Sequence, residues 1–290
     1  MRLLSFSALL LTIATASARP SVKVVVPQFD FPKGSYGDTA AVGVSNNGAV
    51  VGSVRDTAGV ALLFERLPGG GYAAPVGFPN SPATYAYGVN NSNLICGWFM
   101  RGPLAHGFLY DPATGTFSQY DVPGEVNTRL VGINDAGDTC GSTDSSAFVN
   151  RGGSLVEFAI PDADYTFPQA INNLGQVVGC YRATGTNQVH SFFRDADGTL
   201  TYPLDYPGAI YTQINGLNDN GLMSGNYNLQ DDAVAHGFVR QLGGRSISFD
   251  VGDGLYGTNV HAINNSGLMT GIYLSPSDSQ VHSFIARFVP

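Results

Sequence analysis

The sequence predicts an all-β fold made of six copies of one four-stranded antiparallel unit, and three observations carry that prediction. A turn signature recurs six times, and a phenylalanine recurs behind each signature. No stretch shows the sustained 3.6-residue apolar period of a long amphipathic helix. Composition points the same way, with 37 glycines among 290 residues and only 12% charged residues, a mixture suited to short strands and tight turns.

The signature reads Gly43-Val-Ser-Asn-Asn-Gly48, Gly88-Val-Asn-Asn-Ser-Asn93, Gly132-Ile-Asn-Asp-Ala-Gly137, Ala170-Ile-Asn-Asn-Leu-Gly175, Gly216-Leu-Asn-Asp-Asn-Gly221 and Ala262-Ile-Asn-Asn-Ser-Gly267. Counted between first residues, the copies lie 45, 44, 38, 46 and 46 residues apart, the period of propeller blades. The expected fold is therefore a six-bladed β-propeller forming a single domain over residues 19–290.

Each unit opens on a strand carrying a Thr just ahead of the signature: Thr39, Thr84, Thr128, Thr166, Thr212 and Thr258. The signature closes on Gly five times and Asn once, the residues that most readily take positive φ, so it forms a tight hairpin turn. An apolar second strand follows, such as Leu94-Ile-Cys-Gly97 or Gln176-Val-Val-Gly179. The third strand holds Phe64, Phe108, Phe148, Phe192, Phe238 or Phe284. A more polar fourth strand, such as Phe117-Ser-Gln-Tyr120, leads through Pro and Gly to the next unit. The last unit ends after its third strand, at Pro290, whereas the chain begins with an unpartnered strand, Val22-Lys-Val-Val-Val26 continuing to Phe31. That segment is expected to complete the last blade, closing the ring and hiding its strand edges.

At the N-terminus, Met1-Arg2, the apolar run Leu3–Ile13 and Ala16-Ser17-Ala18 have the form of a secretory signal peptide over residues 1–18. Its apolar run is about half of the ~20 residues of a membrane helix, so no membrane insertion is expected. The expected mature chain carries 13 basic and 22 acidic residues, a net charge of −9, with Lys23 and Lys33 as its lysines. Such a surface repels nucleic acid and anionic lipid. A secreted monomer is the expected form, extracellular or else at the cell surface or in the periplasm.

The signatures together with His106-Gly-Phe108, His190-Ser-Phe192, His236-Gly-Phe238 and His282-Ser-Phe284 resemble the HAF-repeat family of extracellular proteins. The resemblance spans nearly all of residues 19–290. Copies one and three depart from it, with Leu62 and Ser146 at the histidine position. It implies a secreted repeat protein and carries over no catalytic residues.

Several patterns invite chemistry and have a structural reading instead. The four histidines begin the third strands of radiating blades, roughly 10 Å outside the innermost strands, so a repeated hydrogen bond is expected there and not a shared metal. Gly252-Asp-Gly-Leu-Tyr-Gly257 matches the letters of a dinucleotide fingerprint but lacks the strand, helix and parallel sheet that such a loop needs. Asp195-Ala-Asp-Gly198 and Asp162-Ala-Asp164 suit turns better than calcium, which takes six to eight oxygens. Zinc spacings and a Gly-x-Ser-x-Gly elbow are missing, so neither a metal nor a cofactor is predicted. Asn90-Asn-Ser92 and Asn264-Asn-Ser266 are glycosylation sequons within tight turns. Three buried free thiols are expected; a Cys140–Cys180 bridge would require both side chains to face one another across unusually close sheets.

What varies between copies is the residue after the recurring Thr and the one two further on, which share a strand face near the axis. These are Ala40 and Val42, Tyr85 and Tyr87, Arg129 and Val131, Phe167 and Gln169, Gln213 and Asn215, and Asn259 and His261. Tyr36, Tyr165, Tyr211 and Tyr256 lie in adjoining loops. Aromatic rings with amide donors suit sugar recognition, so Tyr85, Tyr87, Arg129, Gln169, Gln213, Asn215, Asn259 and His261 form the candidate ligand-binding set. A solvated, hydrogen-bonded channel is the plain alternative. Two functions follow: an interaction module for a glycan or protein ligand, or a carbohydrate-active enzyme such as a polysaccharide lyase. In the second, Tyr87 or His261 takes a proton while Arg129 holds a uronate carboxylate.

Overall fold

The computed structural model describes residues 19–32, 36–232, 234–252, 257–275 and 277–290. The expected signal peptide, Tyr256, the side chain of Tyr36 and most of the 252–257 loop lie outside the described residues.

Among the described residues every regular element is a β-strand. β1 (Ser21–Phe29) precedes the first copy, which forms β2 (Tyr36–Val44), β3 (Val50–Asp56) and β4 (Ala61–Arg66). The second copy forms β5 (Thr84–Val89), β6 (Ile95–Arg101), β7 (Leu104–Asp111) and β8 (Thr116–Tyr120). The third contributes β9 (Arg129–Ile133), β10 (Thr139–Ser142), β11 (Ala147–Arg151) and β12 (Ser154–Phe158). β13 (Ala163–Ile171), β14 (Val177–Ala183), β15 (Val189–Arg194) and β16 (Leu200–Thr201) make up the fourth. The fifth holds β17 (Ala209–Leu217), β18 (Leu222–Leu229), β19 (His236–Gln241) and β20 (Ser246–Phe249). The last holds β21 (Thr258–Ile263), β22 (Leu268–Leu274) and β23 (Val281–Val289).

Strands of one copy pair antiparallel in chain order. β1 pairs with β23 from Ser21↔Val289 to Phe29↔Ser283, so the N-terminal strand provides the outer edge of the last sheet. A single parallel pair, Val189↔Tyr211, links the sheets of the fourth and fifth copies. The first copy corrects the four-strand expectation: its sheet is β2-β3-β4. Between β4 and β5 the chain makes only isolated bridges back to β4: antiparallel at Leu63↔Val76 and Arg66↔Tyr72, and parallel at Ala61↔Ala83. Pro68, three consecutive glycines and Pro75 explain this, because proline lacks the ladder N–H and glycine loses most entropy when extended.

The recurring residues have distinct mechanical roles. All six third-strand phenylalanines are fully buried between sheets. The six threonines are buried, and each hydroxyl accepts the N–H of a residue in the preceding connection, for example Phe78 to Thr84 and Ile160 to Thr166, both within 2.9 Å. These bonds fix where one unit hands over to the next. First strands also crowd one another. A Cβ on Gly43 would sit 2.7 Å from the Tyr87 carbonyl, and one on Gly216 would sit 2.8 Å from the Ile263 nitrogen.

The signature asparagines lock neighbouring copies together. Asn90, Asn134, Asn172, Asn218 and Asn264 each donate a side-chain N–H to the backbone carbonyl of the equivalent residue in the following copy, the last of them to Ser45. The next position carries a second set of bonds. The N–H of residue 46 is accepted by the side chain of 91, 91 by 135, 135 by 173, 173 by 219, 219 by 265, and 265 by 46. The sequon residues Asn90 and Asn264 are therefore buried and committed to this lock.

The histidine bond has a specific partner, an aspartate in the segment that follows the neighbouring outer strand. His106 meets Asp121, His190 meets Asp205, His236 meets Asp250, and His282 meets Asp30 from the N-terminal segment. Among the described residues no group of three ligands suits a metal ion. The Asp195–Gly198 segment is a turn, with Asp195 accepting the Ala196 N–H and Asp197 that of Thr199. Cys96, Cys140 and Cys180 are free and buried. Burial pushes the thiols of Cys96 and Cys180 up to about 12 and that of Cys140 well above its ordinary value.

Candidate functional site: a chamber in the channel

The bulges in the first strands turn the variable side chains inward. Cross-strand register shifts fall between Ala86/Gly88, Ile214/Gly216 and Val260/Ala262, among others. The side chains after these bulged strands' threonines surround a chamber of about 210 Å³. Its wall consists of Val42, Tyr87, Val131, Phe167, Gln169, Gln213, Asn215, Asn226, Asn259 and His261. Six of the eight nominated residues thus meet at one place: Tyr87, Gln169, Gln213, Asn215, Asn259 and His261.

Tyr85 and Arg129 are not in that wall. Both are drawn to Trp98, the tryptophan paired across the strand from Tyr85. The Tyr85 and Trp98 ring centroids lie 4.4 Å apart, and the Arg129 guanidinium lies 5.6 Å over the indole. This cation–π arrangement occupies the one cation that the sequence places near the axis. Trp98 and Asn226 are the residues that the sequence reading missed. Each follows the second-strand glycine and pairs with a first-strand channel residue, Trp98 with Tyr85 and Asn226 with Gln213. The signal was present: that position reads Ser53, Trp98, Ser142, Cys180, Asn226 and Ile272, as variable as the channel itself.

Hydrogen bonds pre-set part of the wall. Asn215 donates to the Asn226 side-chain oxygen at 2.9 Å and to the Val260 carbonyl at 2.8 Å, which uses both of its N–H groups and leaves its oxygen available. The Tyr211 hydroxyl donates to the Gln213 oxygen, which leaves the Gln213 amide N–H groups as its unspent donors. Burial pushes the Tyr211 phenol up to about 12. Asn259 makes no side-chain hydrogen bond among the described residues.

His261 Nδ1 lies 3.1 Å from the Ala41 carbonyl. A carbonyl only accepts, so Nδ1 carries the proton and Nε2 presents a lone pair when the ring is neutral. Burial lowers the imidazole pKa below its ordinary value, against the opposing Ala41 bond, and keeps the ring neutral at pH 7. Tyr87 is shifted the other way: burial raises its phenol, opposed by Trp98 and Arg129, so it remains protonated.

The opposite mouth of the channel, where the signature turns meet, holds a smaller recess of about 110 Å³ bordered by Asn46, Asn91, Asp135, Asn173, Asp219 and Asn265. Its carboxylates are spent on the frame: Asp135 Oδ2 accepts from Asn91 and Asn173, and Asp219 Oδ2 accepts from Asn173 and Asn265. The two ends of the channel therefore differ: at one the carboxylates are bonded within the frame, and at the other Asn259, the Asn215 oxygen and the Gln213 N–H groups remain unspent.

Sheets of antiparallel strands set around a common channel define the chain as a β-propeller. No family model and no curated protein matches it. Among solved structures, the putative TolB from Agrobacterium tumefaciens is similar over 87% of this chain and 91% of that one, with a TM-score of 0.55 and 11% identity. A catalytically inactive virginiamycin B lyase from Staphylococcus aureus, solved with quinupristin, is similar over 93% of this chain and all of that one, at TM-score 0.50 and 11% identity. At such identity the likeness is one of fold.

Proposed function

We propose that this protein is a secreted recognition module of the HAF-repeat type, a closed six-bladed propeller that binds a carbohydrate in its channel. The observation that carries the binding reading is the chamber itself. Aromatic and aliphatic groups stand beside amides that keep part of their bonding capacity, the Asn215 oxygen, the Gln213 N–H groups and the Asn259 amide, the pattern of a small-ligand site. The unbroken circuit of signature bonds and the pairing of β1 with β23 support the closed ring. Secretion is supported by the form of residues 1–18.

Recognition is favoured over elimination chemistry by the position of Arg129. A lyase of the kind considered needs a cation at the substrate carboxylate, and this guanidinium is engaged with Trp98 outside the chamber wall. Trp98 is the single tryptophan of the sequence and sits 6.4 Å from Tyr87, so its fluorescence reports directly on the chamber. The test is a glycan panel on the secreted protein, read by Trp98 emission and by product analysis. Saturable binding without turnover is expected, weakened at least about tenfold by Gln169→Leu. Turnover of a glycan that His261→Ala abolishes while binding persists would establish the enzyme reading instead.

A further inference from the structure

We infer that the chamber accepts an uncharged, ring-sized ligand, the neutral terminus of a glycan, and discriminates against uronic acids and amino sugars. The inference rests on the carbohydrate reading above and narrows it by charge and size.

Four observations point to it. Although the chain carries 22 acidic residues, no Asp, Glu, Lys or Arg among the described residues belongs to the chamber wall. The one titratable base there, His261, is held neutral by its burial, which outweighs the opposing bond to the Ala41 carbonyl. A carboxylate or ammonium entering this space would leave water without meeting a counter-charge, the costliest kind of desolvation. The uncharged polarity is also unevenly placed. Val42, Tyr87 and Val131 come from the first three copies, whereas Gln213, Asn215 and Asn259 come from the last two. One side offers apolar surface and the other offers amides. A neutral pyranose has matching sides, C–H groups on one face and hydroxyls around its edge. The volume, about 210 Å³, falls below the ~300–1,000 Å³ of pockets for drug-sized ligands, so it holds one ring.

The experiment titrates the full secreted protein with methyl glucoside, galactoside and mannoside, each beside its uronic acid and its 2-amino counterpart. Trp98 fluorescence and calorimetry give the affinities. At least one neutral sugar is expected to bind about tenfold or more tighter than both charged counterparts. A uronic acid or amino sugar that binds as tightly as its neutral form overturns the charge inference and leaves the carbohydrate reading standing. Failure of every sugar to bind overturns both. As a second arm, Asn259→Asp places a carboxylate on the wall without removing a frame hydrogen bond. It should shift the preference toward the amino sugar about tenfold, and an unchanged preference in a variant of wild-type melting temperature also overturns the inference.

Discussion

Gly271→Ala tests the close packing that places the chamber wall. Gly271 sits in the middle of β22, opposite Val260 on β21 and Phe284 on β23. A Cβ there would fall far inside van der Waals contact with the Asn259 carbonyl and 2.9 Å from the Phe284 ring. Neither obstacle yields easily: one is backbone in a bulged strand, and the other is a fully buried aromatic ring in the core. Overpacking costs about 1–3 kcal/mol, and a clash bounded by backbone on one side belongs at the upper end, about 3 kcal/mol. At roughly 2–4 °C per kcal/mol for a domain of this size, the melting temperature should fall by about 6–12 °C. The assay is calorimetric melting of Gly271→Ala beside Gly137→Ala. Gly137 has φ 82° and open space around it, so alanine there meets only the left-handed backbone cost of about 1–2 kcal/mol. Because Asn259 moves with its carbonyl, Gly271→Ala should also weaken ligand binding in the chamber. A melting temperature for Gly271→Ala equal to that of Gly137→Ala would refute the claim that β21 is held rigidly against β22.

Other expected outcomes follow from the same frame. Asn264→Ala removes the donor to the Ser45 carbonyl and the acceptor for the N–H groups of Ser266 and Leu268. At ~1 kcal/mol for each bond lost, the denaturant midpoint should shift by about 2–4 kcal/mol equivalent. The His282 ring is bonded on both nitrogens, to Asp30 and Asp278. Burial alone would lower its pKa, and these two carboxylates outweigh burial and raise it. Its folded pKa lies above the unfolded value of ~6.5, so its stabilisation is complete below that pH and fades as pH rises through the raised value. Melting temperature followed across that range should show the loss, and Asp30→Asn should flatten it. His261 acts in the opposite sense: its lowered pKa means stability falls as pH drops below ~6.5, a slope that His261→Gln should remove. All three thiols are buried with raised pKa values, so a disulfide-exchange reagent should titrate none in the native protein and three after denaturation.

What recurs is legible in the residues alone. A repeated backbone makes the same demand six times, so a positive-φ turn, a Thr hydroxyl at each crossover, a Phe between sheets and an Asn at each lock appear at regular spacing. The all-β class, the repeat and the inward strand face could all be read from that regularity. The incomplete first sheet was legible in principle, from Pro68 and the glycines behind it. Tertiary structure decided what does not recur. Tyr85 and Arg129 share a strand face with chamber residues, yet their positions depend on Trp98, whose bulk follows no repeat rule and whose reach crosses from one sheet to the next. Asn226 enters the wall because it lies opposite Gln213, a pairing set by the bulge register. The aspartates that meet the histidines, 252 residues away in the case of His282 and Asp30, are likewise brought together only by folding. Periodic sequence specifies the frame because each copy solves the same local packing problem, whereas the chamber arises where six different copies converge, and convergence belongs to the folded molecule.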